Sequence, residues 1–208
     1  FVRPDEFISI AEDTHIIIDI GHWVLHQACQ DFVALKDAGY DVGQMSVNVS
    51  GVQLQYSDMY QTVKDAIASS GIKTHELELE VTESYIATNE KSAVATLMKF
   101  RNMGIEIAID DFGTGYSSMS HLHKLPISRL KIDKAFVDDL PDSKESVAVV
   151  NAIIALAQAF ELKITVEGVE LEAQVNFFKD KYCDDIQGYY YSKPLTIQEL
   201  KEFIDKTS

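Results

Sequence analysis

The sequence is poor in several things that would each have pointed elsewhere. It has two cysteines in 208 residues, Cys29 and Cys183, which give neither a disulfide framework nor zinc-ligand spacing. A reducing, cytoplasmic setting is therefore expected, including the cytoplasmic part of a membrane-anchored sensor. Its four prolines, at 4, 126, 141 and 194, are scattered and build no linker. Basic residues are scarce, 18 against 33 acidic ones, for a formal charge of -15. Phosphate backbones and anionic membranes would repel such a chain, so no nucleic-acid polymer and no membrane contact by this domain are expected. The longest apolar stretch, residues 147–160, is broken by Asn151 and Gln158 and is too short to span a bilayer. There is no fixed-period repeat and no low-complexity tract. The chain opens on Phe1 rather than Met, which suggests a piece of a longer chain. What is present, 46% hydrophobic and 10% aromatic residues, supports a real core and excludes disorder. One domain over residues 1–208 is the natural count, and surplus carboxylate is what a divalent cation needs.

Short β-like runs alternate with longer helical runs, which reads as α/β with parallel strands. Apolar spacing predicts helices over residues 4–11, 17–32 (Ile20, Val24, Ala28 and Phe32 on one face), 53–69, 92–103, about 146–160 and 197–206. Strands are predicted over residues 45–49, 77–81, 105–110, 129–132, 164–167 and 185–188. Successive strand side chains point to opposite faces. One face carries Val47, Leu79, Ile107, Leu130 and Ile164. The other carries Ser46, Asn48, Glu78, Glu80, Asp110, Lys131, Thr165 and Glu167. A doubly wound sheet, covered by helices on both sides, would be apolar on both faces. One greasy and one ionisable face instead fits a barrel, with the polar side pointing inward.

Asn48, Glu80, Asp110, Lys131, Glu167 and Gln187 fall toward the strand ends at intervals of 20 to 36 residues, about one βα unit each. In a (β/α)8 barrel that rim carries the catalytic groups. The alternative is a set of buried polar groups satisfying one another. Unpaired buried carboxylates cost several kcal/mol each, and cations are their usual remedy.

The strongest local signal is Asp110-Asp111-Phe112-Gly113-Thr114-Gly115-Tyr116-Ser117-Ser118. Adjacent carboxylates at a strand end repel unless a cation joins them, and oxygen donors suit Mg²⁺ or Mn²⁺. The embedded Asp-Phe-Gly is no kinase signature, because no Gly-rich phosphate loop, His-Arg-Asp or Ala-Pro-Glu accompanies it. Glu80-Val81-Thr82-Glu83-Ser84 ends a second strand; Glu83 lies beyond it, where it could accept from amides of the Asp-Gly loop. Lys131 would either neutralise the acidic mouth and hold a phosphate oxygen, or pair with Asp110 or Glu167. Glu167 could accept a proton from water, ligate a metal, or sit as an anion at a helix start. His22 and His26 lack the glutamate and third ligand of a zinc helix and read as ordinary helix residues; His121 and His123 read as surface or interface groups.

Taken together, Val47-Asn48-Val49-Ser50, the Leu77 to Ser84 segment, the Asp110 loop, Leu130-Lys131-Ile132-Asp133, Val166-Glu167-Gly168-Val169-Glu170 and Gln187-Gly188-Tyr189 to Pro194 resemble the EAL domain of cyclic di-GMP phosphodiesterases. The early Phe7-Ile8-Ser9-Ile10-Ala11-Glu12 is similar too, so the likeness covers essentially the whole chain. The resemblance implies a TIM-type (β/α)8 barrel and hydrolysis of cyclic di-GMP to linear pGpG with Mg²⁺ or Mn²⁺, as two ions. It implies Asn48, Glu80, Asp110 and Asp111 as metal ligands and Glu167 and Lys131 as catalytic residues. It further implies Gln187 and Asp133 at the substrate and Glu83 as loop anchor. A non-catalytic cyclic di-GMP receptor is the alternative, though such members lose metal ligands that are present here. The resemblance also implies a homodimer, with residues 111–118 and the helix after Lys131 near the contact; apolar Phe136 and Val137 add to that expectation. The namesake Glu-Ala-Leu of the family's first strand, and the arginine after it, do not occur in this sequence. The expected fold is therefore a barrel lacking its first strand, with a seam between residues 45–49 and 185–188. Its metal site is expected to be short of one glutamate and its activity impaired. Any GGDEF or sensor domain would lie upstream.

Overall fold

The structure, a computed structural model, describes residues 2–114 and 122–207. Six strands, β1 (Met45–Asn48), β2 (Leu77–Thr82), β3 (Glu106–Phe112), β4 (Arg129–Ile132), β5 (Lys163–Val166) and β6 (Asp185–Ile186), form one sheet in sequential order. Every neighbouring pair is parallel. Among the described residues β6 does not pair with β1. The sheet is therefore a six-strand part-barrel with edges at β1 and β6, where the sequence places the seam. The expected α/β barrel architecture is the one observed, in this open form.

The helices are α1 (Pro4–Asp13), α2 (Ile17–Asp37), α3 (Gly51–Tyr56), α4 (Met59–Ser70), α5 (Glu83–Thr88), α6 (Glu90–Asn102), α7 (Lys134–Val137), α8 (Lys144–Ala159), α9 (Glu172–Phe178) and α10 (Ile197–Thr207). Several departures from the sequence reading have local causes. The helix expected over residues 53–69 is two, because Ser50 caps α3 while Asp58 accepts from the Gln61 amide and starts α4 afresh. The core face of α2 is Ile17, Gly21, Leu25, Cys29, Phe32 and Leu35 rather than the Ile20–Val24–Ala28 stripe. Ile20 and Val24 instead face a groove beside the sheet. The short α5, α7 and α9 escaped the periodicity, since six, four and seven residues are too few to show it.

The apolar strand face is buried as alternation requires: Leu77, Ile107, Leu130, Ile132, Ile164 and Val166 are all 0% exposed under the helices. Val137 belongs to this core and Phe136 packs against it. Val137 is thus spent inside the chain, while Phe136 is half-buried. No helix among the described residues is long and apolar enough to cross a membrane. His22 and His26 stack at 4.6 Å on α2, and His26 Nδ1 lies 3.3 Å from Ser69 Oγ on α4, an ordinary helix-packing arrangement.

Candidate active site

The centre of the site is Lys131 on β4, 3% exposed. Its Nζ stands 2.6 Å from Glu80 Oε2 on β2, 3.1 Å from Asp110 Oδ1 on β3 and 2.7 Å from Glu167 Oε1 just past β5. Strand alternation turns all four side chains to the inner face. The Asn48 amide faces Glu80 Oε2 and Asp110 Oδ2; oriented to satisfy both, its NH₂ donates at 3.3 and 3.1 Å. Five of the six expected strand-end residues are thus in mutual contact. Gln187, exposed beyond β6, joins Glu80 and Lys131 in lining a cavity of about 300 Å³.

The electrostatics follow from burying three carboxylates around one ammonium. Burial pushes the Lys131 ammonium down, but Glu80, Glu167 and Asp110 outweigh it, so its pKa is raised and the charge is fixed. Burial raises Glu80 despite Lys131. Burial, together with the Asp110 and Glu80 charges, lifts Glu167 to about 7 against the pull of Lys131. Burial, the neighbouring Asp110 charge and a hydrogen bond with Asp133 raise Asp111 to about 6. One ammonium is too little charge for this set, which marks a place for additional cations.

The backbone around the two aspartates is sharply bent. Asp111 has φ +55 and Gly113 φ +99. A non-glycine residue in that region is uncommon and collects at functional sites. The Asp111 amide donates to Asp110 Oδ1 at 3.1 Å, and the Gly113 amide donates to Glu83 Oε2 at 2.8 Å. Glu83 is 2% exposed, so a buried carboxylate at the start of α5 pins the turn after β3. The continuation of that loop expected at Gly115-Tyr116-Ser117-Ser118, and His121, lie outside the described residues.

Asp110, Asp111 and Glu167 can each offer one carboxylate oxygen, all within 4.8 Å of one another. An all-oxygen anionic set fits Mg²⁺ or Mn²⁺. This grouping draws in Glu167, expected foremost as a proton acceptor, while Asn48 and Glu80 border it through Asp110. Asp133, expected at the substrate, has Oδ1 committed to the Ala135 amide at 2.8 Å as the cap of α7. A second hollow of about 420 Å³ runs from the acids Asp110 and Asp111 to an apolar wall of Ile8, Ile20 and Val24.

In the tier below, alternation places Ser46, Glu78 and Thr165 on the inner face, but sequence reasoning missed Arg129 and Asp185, which join them. Arg129, 7% exposed, donates from Nε to Glu78 Oε2 at 2.9 Å and from Nη1 to Thr165 Oγ1 at 2.8 Å, and also pairs with Asp185. Its position two residues before Lys131 was the available signal. Asp185 offered the same signal, two residues before Gln187.

The sequence motifs and this geometry can be set beside known proteins. The EAL domain family model matches residues 1–194. The chain belongs to the EAL domain family. It is 40% identical over 201 residues to the signaling protein YkoW of Bacillus subtilis, covering 97% of this chain and 25% of YkoW. It is 38% identical over 201 residues to the cyclic di-GMP phosphodiesterase NbdA of Pseudomonas aeruginosa, covering 97% of this chain and 26% of NbdA. The EAL chain thus spans about a quarter of the length of these relatives. Among solved structures, the PaMucR phosphodiesterase in complex with c-di-GMP superposes with a TM-score of 0.92 at 37% identity, over 96% of this chain and 81% of that one. The similarity to an EAL phosphodiesterase structure carries the barrel architecture independently of the strand alternation.

Proposed function

We propose that this EAL domain hydrolyses one phosphodiester bond of cyclic di-GMP, giving linear pGpG, in bacterial second-messenger signalling. The observation that carries the reading is the convergence of Asn48, Glu80, Asp110, Lys131 and Glu167 around one ammonium at the strand ends. The name of NbdA and the ligand of the PaMucR structure support the choice of substrate. A strongly acidic pocket would by itself repel a phosphodiester, so the chemistry needs cations. Asp110, Asp111 and Glu167 would hold Mg²⁺ or Mn²⁺, with Asn48 and Glu80 contributing to a two-ion set; the ions would supply the positive charge that polarises the phosphoryl oxygen. Glu167, kept ionised by the adjacent cation, would accept the proton of the attacking water. Lys131, paired with Glu80, Asp110 and Glu167, orients these catalytic carboxylates from the floor of the site. Gln187 and Asp133 border the ligand, and Glu83 keeps the Asp111–Gly113 turn in place. The apolar wall of Ile8, Ile20 and Val24 offers a surface for a flat base.

The same reading makes residues 1–208 one domain, places it in the cytoplasm and pairs it with a second copy. The last rests on family resemblance, and a monomer by light scattering at high concentration would count against it. A non-catalytic cyclic di-GMP receptor is disfavoured because Asn48, Glu80, Asp110, Asp111 and Glu167 are all present. The deciding experiment is cyclic di-GMP turnover by the full-length protein with Mg²⁺ or Mn²⁺, with chelator, and as Asp110→Asn. Metal-dependent pGpG release that disappears in a folded Asp110→Asn variant is expected; unchanged turnover in that variant would sink the metal assignment.

A further inference from the structure

We propose that Arg129 is a positioning residue for the acidic centre, the middle of a hydrogen-bonded belt that fixes how far β2 and β6 stand from β4. This rests on the phosphodiesterase reading above. The belt runs from one sheet edge to the other. Ser46 Oγ on β1 donates to Glu78 Oε1 on β2 at 2.8 Å, Glu78 Oε2 accepts from Arg129 on β4, and Arg129 reaches Thr165 on β5 and Asp185 on β6. Each belt residue lies two positions before a site residue on the same strand or its immediate continuation. Ser46 precedes Asn48, Glu78 precedes Glu80, Arg129 precedes Lys131, Thr165 precedes Glu167 and Asp185 precedes Gln187. Residues i and i+2 share a strand face. Whatever sets the spacing of the lower tier therefore sets the spacing of the upper one.

The geometry needs an arginine. β2 and β4 are second neighbours across β3, roughly 10 Å apart at about 4.8 Å per strand. Ala108, in register with Arg129 on β3, is only a methyl and leaves room for the guanidinium to cross. On the other side Thr165, in register with Asp185, offers its hydroxyl on the way to β6. A planar fork with five N–H donors can serve Glu78, Thr165 and Asp185 at once; a lysine ammonium is a compact point donor. β6 needs such a tie, because it is two residues long and pairs only with β5 among the described residues.

The test uses the full-length protein. Mn²⁺ affinity is measured by electron paramagnetic resonance titration, cyclic di-GMP kinetics alongside, and folding by circular dichroism and Tm. Arg129→Met is expected to weaken Mn²⁺ binding and lower kcat by up to roughly 10-fold, the low end of what loss of a group bonded directly to a ligand produces, because Arg129 acts one tier away. Arg129→Lys is expected to recover only part of both. Asp185→Asn cuts the β6 tie alone. Its carboxylate is 59% exposed, so little change in Tm is expected, whereas KM should rise several-fold with Mn²⁺ affinity within twofold. Wild-type Mn²⁺ affinity and kcat in folded Arg129→Met, with only Tm lowered, would reduce Arg129 to a stabilising ion pair and overturn the proposal. If Arg129→Met does not fold, wild-type behaviour of both Arg129→Lys and Asp185→Asn overturns it equally. If the wild-type protein does not hydrolyse cyclic di-GMP, the phosphodiesterase reading falls. The Mn²⁺ titration then still decides the role of Arg129.

Discussion

At the scale of single residues, the site turns on how buried carboxylates divide one positive charge. Lys131 touches Glu80, Asp110 and Glu167, yet burial still lifts Glu167 to about 7. That value describes the metal-free site; a bound cation favours the ionised carboxylate, the form that can accept a proton. Glu167→Gln keeps the shape and hydrogen-bonding reach of the side chain but cannot take a proton. It is expected to lower kcat by about 10²–10⁴-fold while cyclic di-GMP affinity changes much less. Stopped assays for pGpG and calorimetric binding check this, and an equal loss of rate and affinity would leave Glu167 its ion-holding role alone and remove the proton-accepting one. These residues were legible in the sequence because each sits at a strand end on the non-apolar face. Arg129 was less legible: a side chain that reaches across two neighbouring strands shows itself only when those strands are in place.

At the scale of elements, the sequence carried the strands better than the helices. Strand alternation survives in four-residue segments such as β4 and β5, whereas a helix needs about three turns before its stripe is unambiguous. That is why α5, α7 and α9 were invisible while every strand was found. The break between α3 and α4 was in principle readable from the cap residues Ser50 and Asp58. The turn after β6 is the tightest of the packed connections. A Cβ at Gly188 would lie 2.1 Å from the Val169 oxygen and 2.3 Å from its nitrogen, both backbone atoms. Val169 is also held there by hydrogen bonds: its N–H donates to the Gln187 carbonyl oxygen at 3.1 Å, and its own carbonyl oxygen accepts from the Tyr190 N–H at 2.9 Å. Gly188→Ala must therefore displace backbone, at a cost on the order of 1–3 kcal/mol or more. It should lower Tm by several degrees and, by shifting Gln187, raise KM. Gly43→Ala, with nothing within 4 Å of the new methyl, is the matched control, and equal Tm values for the two variants would refute the packing argument.

At the scale of the whole molecule, a net charge of -15 and an acidic centre make stability depend on pH and on cations. Glu167 rises from 4.5 to about 7 and Asp111 from 3.8 to about 6 on folding, both mainly through burial. Each group holds its proton more tightly in the fold than in the unfolded chain. The fold therefore binds more protons across that range, and stability falls as pH rises from about 4 to about 7. Lys131, raised on folding, stays charged throughout this window and contributes no slope. Glu76 is lowered by its hydrogen bond with Lys36, so its contribution is complete above its ordinary value of 4.5 and flat from there upward. Self-repulsion of the surplus acidic charge acts in the same direction as the two raised carboxylates. In chelator, Tm is thus expected to fall between pH 5 and pH 7.5. Glu167→Gln should flatten the upper part of that fall, which surface repulsion alone would leave nearly untouched. Mg²⁺ or Mn²⁺ at pH 7.5 should raise Tm, because ligands that bind only the folded state stabilise it by mass action, and Asp110→Asn should remove that rise. Calorimetric scans of wild type and both variants across this range measure all three effects. A midpoint that climbs through pH 5 to 7.5 in chelator would show that the acidic centre is not held under strain of charge, and the case for a cation site would lose its electrostatic ground.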